Sequence, residues 1–186
     1  MLSNELRSAS QIVALVGLFF SILMFIPWLA SFAAGWKGGD HFLWSGLTSG
    51  FGCIIVLLAT RGETPKISAR FGILVVNFLW WIVPLICALP FILALPELTL
   101  IDAIFEATSG LTTTGATVLT DLIDQPRPIL LWRSLMQWVG GLGILSLGLI
   151  LLPFLRVGGM QLIRMESSDR ADKPLPRLIE ISKSII

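Results

Sequence analysis

Four stretches of the chain hold no charged residue: 8–36, 41–60, 71–96 and 134–155, of 29, 20, 26 and 22 residues. A helix rises about 1.5 Å per residue and the hydrocarbon core is about 30 Å thick, so about 20 apolar residues suffice to cross it. Each run therefore predicts a transmembrane helix, and together they predict an all-α polytopic membrane protein. The first run far exceeds the roughly 7 to 15 residues of a cleavable secretory apolar region, so it is expected to be retained. Pro27, Pro84, Pro90 and Pro153 lie within or near the ends of the runs and predict kinks. Trp28, Trp36, Trp44, Trp80, Trp81, Trp132 and Trp138 fall mostly near run ends, as interfacial anchors do. In the fourth run Gly140, Gly141, Gly143 and Gly148 permit either close approach of another helix or a local break.

The stretch between the third and fourth runs, 97–121, is too apolar for a simple water-exposed loop. Thr99 and Asp102 have the spacing of a capping box, and Ile101, Ile104, Phe105, Thr108 and Leu111 follow at helical intervals. A helix over 100–111 is predicted, about 18 Å long: too short to cross a bilayer, long enough to descend partway. Thr112, Thr113, Thr114, Gly115, Ala116 and Thr117 come next, and their mostly β-branched character favours extended backbone. Two readings stay open from the residues alone. One is a polar outer loop after an amphipathic surface helix. The other is a re-entrant pore loop, because open backbone at membrane depth must line a water-filled or ion-filled path. In the second reading the negative end of the short helix, near Gly110 and Leu111, faces a cation, backbone carbonyls replace the hydration shell of potassium, and Gly115 supplies backbone angles that other residues resist.

Composition narrows the function. Hydrophobic residues make up 55% of the 186-residue chain and charged residues 13%, against about 25% charged in soluble domains. A net charge of +1 gives no basic footprint for nucleic acid. The two cysteines, Cys53 and Cys87, both lie in hydrophobic runs, and His41 is the sole histidine, so neither a disulfide scaffold nor a zinc site is expected. No phosphate-binding loop appears, and Ser, His and acid are not grouped as a nucleophile with its base, so no enzyme is expected. Alternating loops place ten basic residues on the side of the N-terminus and three, Lys37, Arg127 and Arg133, on the other, which predicts a cytoplasmic N-terminus. The outer side then carries six acids, Asp40, Glu97, Asp102, Glu106, Asp121 and Asp124, against those three bases. Its net negative charge attracts cations.

The arrangement Phe105-Glu-Ala-Thr-Ser-Gly-Leu-Thr-Thr-Thr-Gly-Ala-Thr117, followed by Trp132-Arg-Ser-Leu-Met-Gln-Trp-Val-Gly-Gly-Leu-Gly143, resembles the first pore unit of the bacterial Trk/Ktr potassium-uptake family, in its TrkH branch. Gly158-Gly-Met-Gln-Leu-Ile-Arg-Met-Glu166 is similar to that family's first cytoplasmic linker, and the hairpin over 11–60 is similar to the extra N-terminal helix pair of the longer branch. The resemblance implies three parts. Residues 1–66 are an N-terminal transmembrane hairpin, and 67–156 the first helix, pore loop and helix of a potassium-channel-like pore. Residues 157–186 are a cytoplasmic linker with the start of a next helix, since Leu178, Ile179, Ile181, Ile185 and Ile186 begin a further apolar pattern.

Family members carry four such units around one pore. Alignment with the potassium-channel filter Thr-Val-Gly-Tyr-Gly puts 113–117 at its five positions, with only the first threonine and first glycine matching. The resemblance thus implies potassium ligation by the carbonyls of Thr113, Thr114, Gly115 and Ala116, with the Thr113 hydroxyl at the inner end and Ala116 in place of the bracing tyrosine. Gly110, Thr112, Thr117 and Glu106 are expected to support the loop, Glu106 by a hydrogen bond to its backbone amides. No covalently bound cofactor is implied; potassium is the transported ligand. Implied partners are membrane lipid, further pore units or other copies, a second protomer in a homodimer of the full-length family, and a cytoplasmic nucleotide-binding regulatory subunit, with no nucleic acid. The implied place is the bacterial inner membrane. A single unit supplies only a quarter of a coordination cage, so the chain is expected to be the N-terminal portion of a longer transporter. A non-transporting remnant or accessory subunit, and four self-assembling copies, are the alternatives.

Overall fold

Proline and glycine set where the long apolar runs become separate helices. The computed structural model describes residues 2–61 and 69–151, which form α1 (Leu2–Leu23), α2 (Phe25–Ala34), α3 (Asp40–Ala59), α4 (Ala69–Ala94), α5 (Leu100–Leu111), a 3-10 turn (Leu122–Asp124) and α6 (Arg127–Leu151). Lys66, Pro153, the linker over 158–166 and the apolar pattern over 178–186 lie outside the described residues.

The first run is expected as one helix and is two. Pro27 has no N–H to give the carbonyl of Leu23, so the hydrogen-bond ladder is interrupted and the chain turns at Met24 before α2. Gly35, at φ +67, then ends α2 in the left-handed conformation that glycine adopts without steric cost. Among the described residues three stretches, Glu5–Ala34, Asp40–Ala59 and Phe71–Ala94, are long and apolar enough to cross a membrane. The fourth run is extended at its front: α6 starts at Arg127, seven residues before the charge-free stretch, and its 25 residues reach about 38 Å.

The helices α1 and α3 form a hairpin through small and hydroxyl side chains. A Cβ on Gly46 would stand 2.9 Å from the carbonyl oxygen of Ser21, and the Ser21 and Ser49 hydroxyls meet at 2.8 Å. Gln11 donates to the carbonyl of Thr60 across the other end of the pair. The hairpin does not stand apart: Phe20, Met24 and Phe42 share one buried cluster with Val83, Cys87 and Phe91 of α4, with Ala103, Ala107 and Leu111 of α5, and with Ile129, Trp132 and Met136 of α6. Outward-facing apolar side chains such as Phe32, Phe51, Trp81, Ile101 and Trp138 are exposed, as lipid-facing positions are.

Trp132 corrects the reading of the tryptophans. Instead of anchoring at an interface it is fully buried, edge-on to Phe42, with its indole N–H donated over 3.1 Å to the carbonyl of Cys87. Pro90 has no N–H to give the carbonyl of Ile86, and the indole bonds the carbonyl one residue further along, that of Cys87. One tryptophan thus ties α6 to α3 and α4.

Candidate functional site

The capping box at the start of α5 forms as its spacing predicts. Asp102 N–H donates to the Thr99 hydroxyl at 3.2 Å and Thr99 N–H donates to the Asp102 carboxylate at 3.1 Å. These two reciprocal bonds satisfy helix N-terminal donors and fix where α5 begins. Its far end packs closely on α6: a Cβ on Gly140 would run into the backbone carbonyl of Leu111, so only glycine fits there, and one on Gly110 would stand 3.0 Å from the flexible end of the Met136 side chain. Close packing is therefore the role of Gly140, whereas beyond its own helical turn nothing among the described residues lies within 4 Å of where a Cβ on Gly143 would stand.

The extended backbone expected directly after α5 is replaced by a turn. Thr112 keeps a right-handed conformation, Thr113 has φ +58, and the chain opens out only from Thr114. Thr113 N–H donates to the Gly110 carbonyl at 3.1 Å and Thr114 N–H to the Ser109 carbonyl at 3.1 Å. This is the paired helix-ending motif in which a left-handed residue, usually glycine, closes the last turn. A β-branched residue there is a genuine outlier, and the left-handed conformation costs on the order of 1–2 kcal/mol. Sequence propensity pointed to extended backbone because it weighs side chains singly; the unsatisfied carbonyls at the end of α5 demanded the turn.

The φ signs now alternate. Thr113 and Gly115 are positive, at +58 and +75, while Thr114 and Ala116 are not. Alternating handedness turns successive peptide groups the same way, whereas a regular strand sends them to opposite sides. The amide hydrogens of Thr113 and Thr114, and more distantly that of Gly115 at 3.5 Å, point back at the carbonyls of Gly110 and Ser109. Among the described residues none donates to the carbonyls of Thr113, Thr114 or Gly115. Ala116 differs, because its carbonyl accepts a 2.6 Å bond from the Ser109 hydroxyl. The Thr112 hydroxyl donates to the carbonyl of Thr108 at 2.9 Å and lies 2.8 Å from the Thr114 hydroxyl. Apart from its two chain neighbours, no atom of the described residues lies within 4 Å of where a Cβ on Gly115 would stand.

Behind the loop sits a buried ion pair. Glu106, on α5 and fully buried, pairs through Oε2 with Nη1 of Arg133 on α6, whose side chain is also buried. Its other oxygen, Oε1, accepts from the Thr117 hydroxyl at 2.6 Å and from the Val118 amide at 2.7 Å. Thr117 Oγ1 in turn accepts from Arg133 at 3.2 Å and from Leu119 N–H at 3.0 Å. One hydroxyl has one hydrogen to give and two lone pairs to fill, so all of its capacity is used. A carboxylate and a guanidinium buried together are tolerated because each is paired and hydrogen-bonded.

Sequence reasoning counted Glu106 and Arg133 among outer-loop charges, and the structure moves both into the interior. Their removal takes one charge of each sign, so the net charge expected for that side is unchanged. Arg133 as a loop-supporting residue was missed because it sits just outside the charge-free run over 134–155; only the forward extension of α6 to Arg127 puts it within a helix, where a buried cation must find a partner. Ser109 was missed because a serine in a short helix reads as one more small residue.

A family model described as TrkH, cation transport protein, matches residues 47–186. The Trk system potassium uptake protein TrkH of Salmonella typhimurium is 38% identical over 182 residues, covering 96% of this chain and 38% of that protein. The Trk system potassium uptake protein TrkI of Halomonas elongata is 45% identical over 107 residues, 58% of this chain and 22% of that one. The crystal structure of the potassium transporter TrkH from Vibrio parahaemolyticus matches with a TM-score of 0.80 at 32% identity, covering 97% of this chain and 36% of that chain. The chain therefore spans less than half the length of these relatives.

Proposed function

Because the chain belongs to the TrkH family of cation transport proteins, we propose that it supplies one quarter of a carbonyl-lined selectivity filter for potassium uptake. The observation that carries this reading is the loop after α5: three consecutive carbonyls, of Thr113, Thr114 and Gly115, receive no donor from the described residues while their amides are tied to the helix end. Partial negative charge from unpaired carbonyls and the C-terminal end of α5 stabilises a desolvated monovalent cation there. The Thr113 hydroxyl sits at the inner end of the filter. Gly115 permits the second left-handed step, and Glu106, Thr117, Thr112 and Gly110 hold the loop.

The three parts of the chain follow from this reading: a hairpin over 1–66 that buttresses the pore unit, the unit itself over 67–156, and a linker over 157–186 leading to further units. The protein acts in the bacterial inner membrane with a cytoplasmic N-terminus, assembled with further pore units, as a dimer, and with a cytoplasmic nucleotide-binding regulatory subunit. It transports an ion and catalyses no covalent chemistry, and its ligand is potassium itself.

The test is potassium uptake in cells lacking their own uptake systems. The chain alone is compared with the chain joined to the remaining pore units of the Salmonella relative. Uptake by the joined form with potassium preferred over sodium is expected, and Gly115→Ser should reduce that preference at least about tenfold, the equivalent of about 1.4 kcal/mol. An unchanged potassium-to-sodium ratio in Gly115→Ser refutes the filter assignment. Uptake by the chain alone means that copies assemble into the pore, and uptake by neither form favours a non-transporting remnant.

A further inference from the structure

The loop treats its fourth carbonyl differently from the first three, and the difference has a single cause. The carbonyls of Thr113, Thr114 and Gly115 are free of donors among the described residues, whereas that of Ala116 is taken by the Ser109 hydroxyl at 2.6 Å. Ser109 is 5% exposed and lies on α5, the same helix that holds Thr117 and Val118 through Glu106. Three successive residues, 116–118, therefore lean on α5 by a carbonyl, a hydroxyl and an amide. A carbonyl aimed at the helix behind the loop is aimed away from the side on which its neighbours are free.

We infer that Ser109 is a positioning residue that withdraws the Ala116 carbonyl from the ion path, so that this unit presents three filter carbonyls in place of four. The inference rests on the filter reading and departs from the expectation that Ala116 ligates potassium. Ion sites in a carbonyl filter form between successive rings of oxygens. The inner sites, bounded by Thr113, Thr114 and Gly115, keep their ligands from this unit. The outermost one, between the Gly115 and Ala116 levels, loses one. A weaker outer site holds an arriving ion less tightly and passes it inward more readily, and conduction needs binding that is weak enough to leave.

Ser109→Ala removes the hydroxyl with almost no change of volume and releases the Ala116 carbonyl, while Ser109→Thr keeps a hydroxyl in place. In the transport-competent form, Ser109→Ala should lower the external potassium concentration for half-maximal uptake at least about threefold, with a maximal rate that does not rise, and Ser109→Thr should restore the parent value. An unchanged or raised half-saturation concentration in Ser109→Ala overturns the inference. A second measurement needs no variant: carbonyl carbons of Thr114, Gly115 and Ala116 are labelled with 13C and their resonances followed in liposomes as sodium is replaced by potassium. Thr114 and Gly115 should shift and Ala116 should stay. A shift of Ala116 as large as the others refutes the role of Ser109 and leaves the filter reading standing, whereas no shift at any of the three refutes both.

Discussion

Replacing Glu106 by glutamine tests how much the buried ion pair holds. The side chain is fully buried, and Gln retains an oxygen that can still accept from Thr117 and Val118. What changes is the atom facing Arg133: an amide NH2 now meets a guanidinium N–H, donor against donor, and the cation is left buried without a counter-charge. Breaking a buried pair on one side costs about 3–5 kcal/mol. Arg133→Met leaves the carboxylate buried with two hydrogen bonds, and a loss at the lower end of the same range, about 3 kcal/mol, follows. In the double variant Glu106→Gln/Arg133→Met no net charge remains inside, the oxygen that holds Thr117 and Val118 is kept, and methionine fills the volume of the arginine stem. That variant should lie within about 2 kcal/mol of the parent and be more stable than either single one. The assay is a double-mutant cycle on purified protein in detergent, unfolded by denaturant, with a coupling energy of at least about 2 kcal/mol expected from groups in direct contact. Potassium-to-sodium selectivity should fall in both single variants and recover in the double. A single variant within about 1 kcal/mol of the parent, or a fully additive double, refutes the argument that the pair braces the loop.

Thr113→Gly relieves a strained left-handed residue, a gain on the order of 1–2 kcal/mol, offset by about 0.5–1 kcal/mol from the greater freedom of glycine in the unfolded chain. Stability should thus hold or rise by up to about 1.5 kcal/mol in denaturant unfolding, while potassium half-saturation worsens because the hydroxyl at the inner end of the filter is gone; a loss beyond about 2 kcal/mol, outside the span of those two effects, contradicts the strain. Gly140→Ala drives a methyl into the Leu111 carbonyl and should cost about 1–3 kcal/mol or prevent folding altogether, whereas Gly143→Ala, with open space around it, should be neutral or stabilising by the roughly 1 kcal/mol that alanine gains in a helix. Equal losses at both glycines, read as the yield of folded protein in membranes, contradict the packing argument.

The helices themselves were legible in the sequence. Charge-free runs over 41–60 and 71–96 became α3 and α4, and the capping pair Thr99 and Asp102 with its helical spacing placed α5 at Leu100–Leu111, because these depend on local hydrogen bonding and on apolar length alone. Local chemistry also marked the Thr-rich loop and its glycine. The path of the chain through the loop was decided elsewhere. Thr113 takes a conformation its side chain disfavours because the last carbonyls of α5 need donors. The partners of Glu106, Arg133 and Ser109 depend on how α5 and α6 are pressed together over Gly110 and Gly140. Trp132 likewise becomes a tie inside the core only because α6 brings its indole to the carbonyl of Cys87 on α4. Hydrophobic length and capping act over a few residues and are written along the chain. Burial of a charge, the aim of a carbonyl and the strain of a backbone angle depend on which elements meet, and only the tertiary structure brings residues 106, 117 and 133 to one point.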